Sequence, residues 1–273
     1  FLVAAYSTRI VLQMERRRGF QGVVLALETA TRQGGIAVLH HGKIVASKSG
    51  SADQTHVERL PTDIIDLLGT LDLTVDDVER YAVAVGPGSF TGLRVGISAI
   101  QGLALVKAVP IVGVSTLAAL VDGVRDSKLV GTWLDGQRNQ VFSAGYLRLK
   151  EVSSPPTSAS SEGPPTIIAV PEGFLEIEPH SVGTPQEMSI CWQKRLEERS
   201  LTLVGDGAHR YESEAKDLLG STVRVLPIQG NLAENVGRLA LGASEDQLLG
   251  PHALRPLYIR RPDVELARNR RRG

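Results

Sequence analysis

Short apolar runs separated by glycine-bearing turns dominate the first half of the chain. Residues 23–28, Val-Val-Leu-Ala-Leu-Glu, are almost unbroken in apolarity, which predicts a strand buried on both faces. Residues 29–35 form a polar turn. The strand pattern resumes over residues 36–39 and, after a turn at His41-Gly42, over residues 43–48, which predicts a three-stranded antiparallel meander. From Thr55 the period lengthens: Val57, Leu60, Ile64, Leu67 or Leu68, and Leu71 recur at helical spacing. Pro61 lies inside this run and either kinks the helix or opens its main segment. Residues 81–85 read as a buried strand, residues 93–107 as a long apolar helix and residues 110–114 as another strand. Ser115-Thr116 can cap a helix through Asp122. The order β-β-β-α-β-α-β-α is therefore legible within residues 22–123.

The second half repeats the theme less regularly. Residues 129–135 and 140–149 pattern as a hairpin, residues 186–199 as a helix, and residues 201–204 as a strand ending in Gly205-Asp206-Gly207. Helices are expected at about 208–219 and 231–242. Between the hairpin and the helix at 186–199 the composition shifts: residues 152–165 are rich in Ser, Pro and Thr, and such a stretch buries too little to fold. The expected organisation is an N-terminal extension (1–21), a first lobe (22–123), and a second lobe (124–245) with an insertion at about 151–166. A C-terminal segment with a basic tail (246–273) completes it. Within the extension, an apolar stretch precedes Met14 and its Glu-Arg-Arg-Arg, the reverse of a secretory leader. Met14 is read as the start, with residues 1–13 upstream of it.

Charge and cysteine content narrow the function. Thirty basic residues balance thirty acidic ones, which argues against gripping nucleic acid through bulk electrostatics. The tail is the local exception, with Arg260, Arg261, Arg268, Arg270, Arg271 and Arg272. It reads as a solvated basic segment or an assisting contact to nucleic-acid phosphate. One cysteine, Cys191, forbids an intrachain disulfide and makes a reducing cytoplasm the expected compartment. No run approaches the ~18 apolar residues of a membrane span. The histidines are 40, 41, 56, 180, 209 and 252. No two are four apart, so the helical His pair that would hold a metal is missing, and no metal is expected. No serine or cysteine constellation for peptide hydrolysis is visible either.

The most informative stretch is Gly86-Pro87-Gly88-Ser89-Phe90-Thr91-Gly92-Leu93-Arg94. It joins a buried strand to an apolar helix, where loop amides and a helix N-terminus can meet an anion. It departs from the phosphate-loop template, because no lysine follows Gly92, and from the nucleophile elbow, because Pro87 replaces the first glycine. The plain alternative is a tight turn capped by Thr91. In the following helix Gly92, Gly96 and Ala99 form a stripe almost devoid of side chains. Helical glycine costs roughly 1 kcal/mol against alanine, so the stripe implies a close neighbour, internal or from a second chain.

Residues 27–31 (Leu-Glu-Thr-Ala-Thr), the 86–94 loop, Gln101-Gly102-Leu103-Ala104 and residues 111–117 (Ile-Val-Gly-Val-Ser-Thr-Leu) resemble the TsaB (YeaZ) family, as do residues 204–208 and 256–262. The motifs keep their order over residues 23–263. The resemblance implies an α/β fold of the actin/Hsp70/sugar-kinase (ASKHA) type, with two lobes and the second shortened. It implies a non-catalytic subunit that dimerises with and activates a TsaD-type enzyme. Together with a TsaE-type ATPase, they transfer threonylcarbamoyl to N6 of adenosine 37 in ANN-decoding tRNAs. The chain itself would hold no cofactor, ATP entering at the level of the complex. The partner surface would lie on the helices around 55–69 and 91–107, through Val57, Leu60, Ile64, Gly92, Gly96, Ala99, Ile100 and Leu103. Without the partner, the same face would pair two copies of this chain. No catalytic residue is assigned. Candidate nucleotide or anion contacts are Glu28 (where relatives mostly carry Asp), Thr29, Ser89, Thr91, Asp135 and Asp206. Gly86, Pro87, Gly88, Phe90, Gly92 and Arg94 are expected to shape the loop. The competing reading is a small-molecule kinase or ATPase on the same fold, using Glu28, Thr29, Asp135 and Asp206.

Overall fold

A computed structural model describes residues 20–51, 53–149, 166–196, 200–220 and 223–260. Residues 1–19, all of the expected insertion except Thr166, and the arginine tail beyond Arg260 lie outside the described residues. Phe20 and Gln21, assigned on sequence to the extension, are tied to the fold. The Phe20 amide donates to the Leu241 carbonyl at 3.0 Å, and the Gln21 carbonyl accepts from the His41 amide at 2.9 Å.

The chain builds two sheets. The first runs β1 (Val24–Glu28), β2 (Gly35–His40), β3 (Lys43–Ser49), α1 (His56–Gly69), β4 (Arg80–Gly86), α2 (Phe90–Lys107), β5 (Ile111–Ser115) and α3 (Thr116–Asp122). Strand order is β3-β2-β1-β4-β5, extended by β8 (Ile167–Ile168). The meander is antiparallel, with Leu25 opposite Val38, whereas β1, β4 and β5 are parallel, with Leu25 beside Tyr81 and Tyr81 beside Ile111. The second sheet is ordered β11-β10-β6-β7-β9, from β6 (Leu129–Gln137), β7 (Gln140–Arg148), β9 (Phe174–Gly183), β10 (Leu201–Val204) and β11 (Arg224–Leu226). Its helices are α4 (Pro185–Leu196), α5 (Asp206–Arg210) and α6 (Glu212–Leu219); α7 (Leu232–Leu241) follows.

Alternation along the strands sorts the side chains into three apolar layers. Val23, Leu25 and Leu27 meet Leu60, Ile64, Ile97 and Ile100 of α1 and α2. Val24 and Ala26 face the other way, toward Leu117 of α3 and Val236 of α7, which also meet Val130 and Leu134 of the second sheet. Leu129 and Trp133 point outward onto Met188, Trp192 and Tyr211. The result is helix, sheet, helix, sheet, helix, the layering of the actin-like α/β fold. It explains why β1 and β4 read as continuous apolar runs: both of their faces are covered. Although α7 follows the second sheet in sequence, it packs on β1, β2 and β4 of the first.

Helix boundaries follow local chemistry. Thr55 caps α1 reciprocally with Glu58, a capping box. Pro61 sits within α1 on its exposed side, so the Val57 carbonyl it leaves unbonded can be met by water. The expected helix at 208–219 is two, broken at Tyr211.

Candidate functional site

Between the two sheets lies a cleft of about 1160 Å³. Its first-lobe wall is the β1–β2 turn, the start of α1 and the 87–95 stretch; its second-lobe wall is Leu134–Gln137, Asp206 and Arg210, with residues 257–260 closing one side. A smaller cavity of about 450 Å³ adjoins Glu28, Asp206 and Asn231.

The loop that sequence singled out is shaped by two close approaches. Gly86 (φ +116°) passes the Leu257 carbonyl, which would lie 2.7 Å from any Cβ there. Gly88 (φ +156°) passes the Ala30 carbonyl, at 2.6 Å. Both backbone conformations and both gaps exclude a side chain. The Ser89 amide donates to Ala30 O at 2.8 Å, and Leu257 N donates to Val85 O at 2.7 Å, so the loop is bolted between the first turn and the C-terminal segment. Ser89, rather than the expected Thr91, caps α2: its Oγ accepts from Gly92 N at 3.2 Å. Thr91 is exposed beside it.

The small-residue stripe has an internal partner. Cβ atoms on Gly92 and Gly96 would meet the Thr29 carbonyl at 2.0 Å and Thr29 Oγ1 at 2.2 Å. The stripe is therefore filled by the end of β1. Leu60, Ile64, Gly92, Gly96 and Ile100 are likewise buried within this chain, which corrects their assignment to a partner surface. Ala99 and Leu103 are half-buried, and Val57 remains 62% exposed. The outer sides of α1 and α2 instead present Ile65 (66% exposed), Leu105 (52%) and Val106 (78%).

Of the candidate ligand contacts, Ser89, Thr91, Asp135 and Asp206 line the large cleft, Glu28 borders the small one, and Thr29 borders neither. Glu28 is 1% exposed. Its two carboxylate oxygens accept from Thr31 N at 2.7 Å and Thr31 Oγ1 at 2.6 Å, so it holds its own turn together. Burial pushes its pKa up, against the Thr31 hydrogen bonds that lower it. Asp206 Oδ1 accepts from the Asp135 amide at 2.8 Å and the Gly207 amide at 2.7 Å, and burial raises its pKa too. Asp135 pairs with Arg210 at 2.7 Å. These carboxylates are engaged by the chain's own groups, and Glu28 does not fit the part of a magnesium-nucleotide ligand. Among the described residues no group of three or more His, Cys, Asp or Glu is placed to hold a metal.

His56, weighed on sequence only as half of a failed metal pair, fastens the same turn to α1. Its Nε2–H donates to Thr31 O at 3.1 Å, and its Nδ1 accepts from Arg59 at 2.9 Å. Arg59 also donates to Gln33 O and pairs with Asp63. This arrangement requires neutral imidazole, and burial lowers the His56 pKa below the ordinary 6.5. The unfolded chain then binds the proton first, so the stability from this tie is intact above about 6.5 and falls as pH drops below it. Glu28 and Asp206, with raised pKa values, act in the opposite sense, which a His56→Gln comparison cancels. Glutamine can keep both hydrogen bonds without titrating. The thermal midpoint of wild type is expected to fall relative to His56→Gln between pH 7 and 5; parallel curves would refute the neutral tie.

The structure also joins three residues that sequence left apart. Ser115 Oγ lies 2.8 Å from His180 Nε2, and His180 Nδ1 lies 3.0 Å from Glu176 Oε1. This trio was not legible in the sequence, and it is not a constellation for peptide hydrolysis. Ser115 is fully buried, its Oγ caps α3 at Leu117 N and Ala118 N, and none of the three lines either cleft. The trio ties the end of β5 to β9, one sheet to the other.

Comparison with known proteins agrees with this geometry. The family model described as "TsaD: tRNA N6-adenosine threonylcarbamoyltransferase" matches residues 43–162. The Escherichia coli tRNA threonylcarbamoyladenosine biosynthesis protein TsaB is 34% identical over 128 residues, 46% of this chain and 55% of that protein. The Bacillus subtilis TsaB is 26% identical over 248 residues, 89% and 96% of the two chains. The chain thus spans about half of the first relative and nearly all of the second. The solved YeaZ of Pseudomonas aeruginosa superposes with a TM-score of 0.67 at 22% identity, covering 87% of this chain and 100% of that one. No helix among the described residues is long and apolar enough to cross a membrane. With the fold shared with YeaZ, and with its motifs in TsaB order and its sequence similarity to TsaB proteins, one of them matched over nearly its whole length, the chain belongs to the TsaB/YeaZ family.

Proposed function

We propose that the chain is the non-catalytic partner subunit of a TsaD-type enzyme in the synthesis of threonylcarbamoyladenosine at position 37 of ANN-decoding tRNAs. Similarity to TsaB proteins supports the pathway. The observation that carries the partner role is the apolar outer side of α1 and α2, where Val57, Ile65, Leu105 and Val106 each expose more than half of their surface. Large aliphatic side chains left exposed on two packed helices gain roughly 1.5–3 kcal/mol apiece when covered. A TsaD-type subunit covers them in the working complex, and a second copy of this chain covers them when that partner is missing. A TsaE-type ATPase and tRNA join through the complex, where ATP is used. The alternative, a kinase acting alone through Glu28 and Asp206, needs those two carboxylates free to work at the cleft; their hydrogen bonds to the chain's own groups weigh against it.

The test is reconstitution with the TsaD-type, TsaE-type and carbamoyl-adenylate synthase proteins of the same organism, with and without this chain. Modification of tRNA is expected to fall at least tenfold on omission, while the chain alone hydrolyses no ATP. Unchanged modification would sink the reading.

A further inference from the structure

Where the cleft opens between the Gly86–Gly92 loop and the C-terminal segment, two aromatic rings stand together. Phe90 and Tyr258 stack with centroids 5.1 Å apart and planes inclined by 27°. Each keeps about two-fifths of its surface exposed, 41% and 40%. The Arg94 guanidinium lies 5.3 Å from the Phe90 ring centroid. Arg94 and Arg32, both exposed, line the same cleft, and neither makes an ion pair among the described residues. The second-lobe arginines are differently placed. Arg210 is neutralised by Asp135, and Arg260 donates to Gly136 O and Gln140 Oε1. The cleft mouth therefore combines an aromatic step with two uncompensated cations. Among the described residues, Asp53 is the cleft carboxylate that accepts no hydrogen bond and forms no ion pair.

We propose that this mouth binds single-stranded RNA, one unpaired base stacking on the Phe90–Tyr258 step while Arg94 and Arg32 meet the flanking phosphates. The choice of RNA rests on the function proposed above; the chemistry rests on the rings and cations. Every base offers a π-face, and base–aromatic stacking is worth about 1–3 kcal/mol per base, enough to matter without base-specific hydrogen bonds. Glu28 and Asp206, the carboxylates first considered for a magnesium nucleotide, accept hydrogen bonds from their own neighbours instead, through both oxygens of Glu28 and through Oδ1 of Asp206. Two phosphate contacts also agree with a chain of zero formal net charge, in which affinity must come mainly from stacking.

The experiment is fluorescence anisotropy of the full chain with a labelled single-stranded RNA hexamer, competed by unlabelled hexamer or by AMP and ATP. Wild type is expected to bind the RNA, with log affinity falling against log salt at a slope of about −1.4 for two phosphates. Tyr258→Ala is expected to weaken binding about tenfold, Tyr258→Phe to keep it, and Arg94→Gln to lower the salt slope by about 0.7. Melting curves taken alongside establish that each variant is folded. The inference is overturned by no binding, by a folded Tyr258→Ala that binds like wild type, or by AMP competing as well as the hexamer. A Tyr258→Ala that loses only its hold on the TsaD-type subunit, at unchanged RNA affinity, also overturns it. Anisotropy uses the chain alone and the reconstitution assay uses the complex, so each reading can fail separately.

Discussion

Gly92→Ala is expected to cost the fold about 3 kcal/mol or more, whereas Gly102→Ala, ten residues along the same helix, is expected to stabilise it. Intrinsic propensity gives both changes one sign: alanine in place of a helical glycine gains about 1 kcal/mol. Packing divides them. At Gly102 no heavy atom lies within 4 Å of the new Cβ, so the propensity gain stands nearly whole. At Gly92 the Cβ would sit 2.0 Å from the Thr29 carbonyl oxygen, a distance only backbone movement can relieve. Thr29 closes β1, whose next residues form the turn held by Glu28 and Thr31, and Ser89 caps the helix one turn before. Any shift must carry the turn, the loop or both. Overpacking in a fixed interior typically costs 1–3 kcal/mol, and contact with backbone puts this case at or above about 3. Urea denaturation checks the pair. A Gly92→Ala variant as stable as wild type would show that α2 does not lie against β1 as described.

This contrast marks how far the sequence could be read. The stripe of Gly92, Gly96 and Ala99 announced that something approaches α2 closely, and it does. Spacing alone could not say whether that neighbour was a second chain or residue 29 of this one, because a glycine gap looks the same from either side. The helix α1 misled for a related reason. Leu60, Ile64 and Leu68 keep a helical period and face the core, but Pro61 and Ile65 follow Leu60 and Ile64 by one position, about 100° further round the helix, and with Val57 they stay exposed. A helix apolar on two sides gives no sign of which side is covered until the sheet is in place. Strands β1, β4 and β5 were legible because burial on both faces leaves an unbroken apolar run. The strand β9, Phe174–Gly183, was missed: it holds Glu176, Glu178, Pro179 and His180 and lies at the sheet edge, where proline and charge are tolerated. With β9 unread, the meeting of His180 with Ser115 could not be foreseen. The cleft itself was half visible. Ser89, Thr91, Asp135 and Asp206 do line it, yet the sequence could not show that Glu28 is spent on Thr31, nor that Tyr258, 168 residues after Phe90, stacks on it.

Ile65→Asp is expected to leave the isolated chain as stable as wild type and to abolish tRNA modification at fixed subunit concentrations. In the free chain Ile65 is 66% exposed, so a charge there stays in water, and surface changes of this kind usually fall within about 0.5 kcal/mol. Covered by a partner, the same carboxylate would be buried without a counter-ion against an aliphatic surface. It would lose the isoleucine's hydrophobic contribution and add the cost of desolvating a charge. Removing one member of a buried pair costs about 3–5 kcal/mol for the same physical reason, which corresponds to a loss of more than 100-fold in affinity. Ile190→Asp supplies the control. Ile190 is 51% exposed on α4, which packs on the outer side of the second sheet, away from α1 and α2. It should alter neither assembly nor modification. Size-exclusion chromatography of the chain with its TsaD-type partner reads the binding, and the reconstitution assay reads the consequence. Homodimers of the chain alone should dissociate with Ile65→Asp in parallel, because one apolar face serves both pairings. If Ile65→Asp still assembles and modifies tRNA while Ile190→Asp does not, the partner sits on α4 and the assignment of the α1–α2 face is wrong.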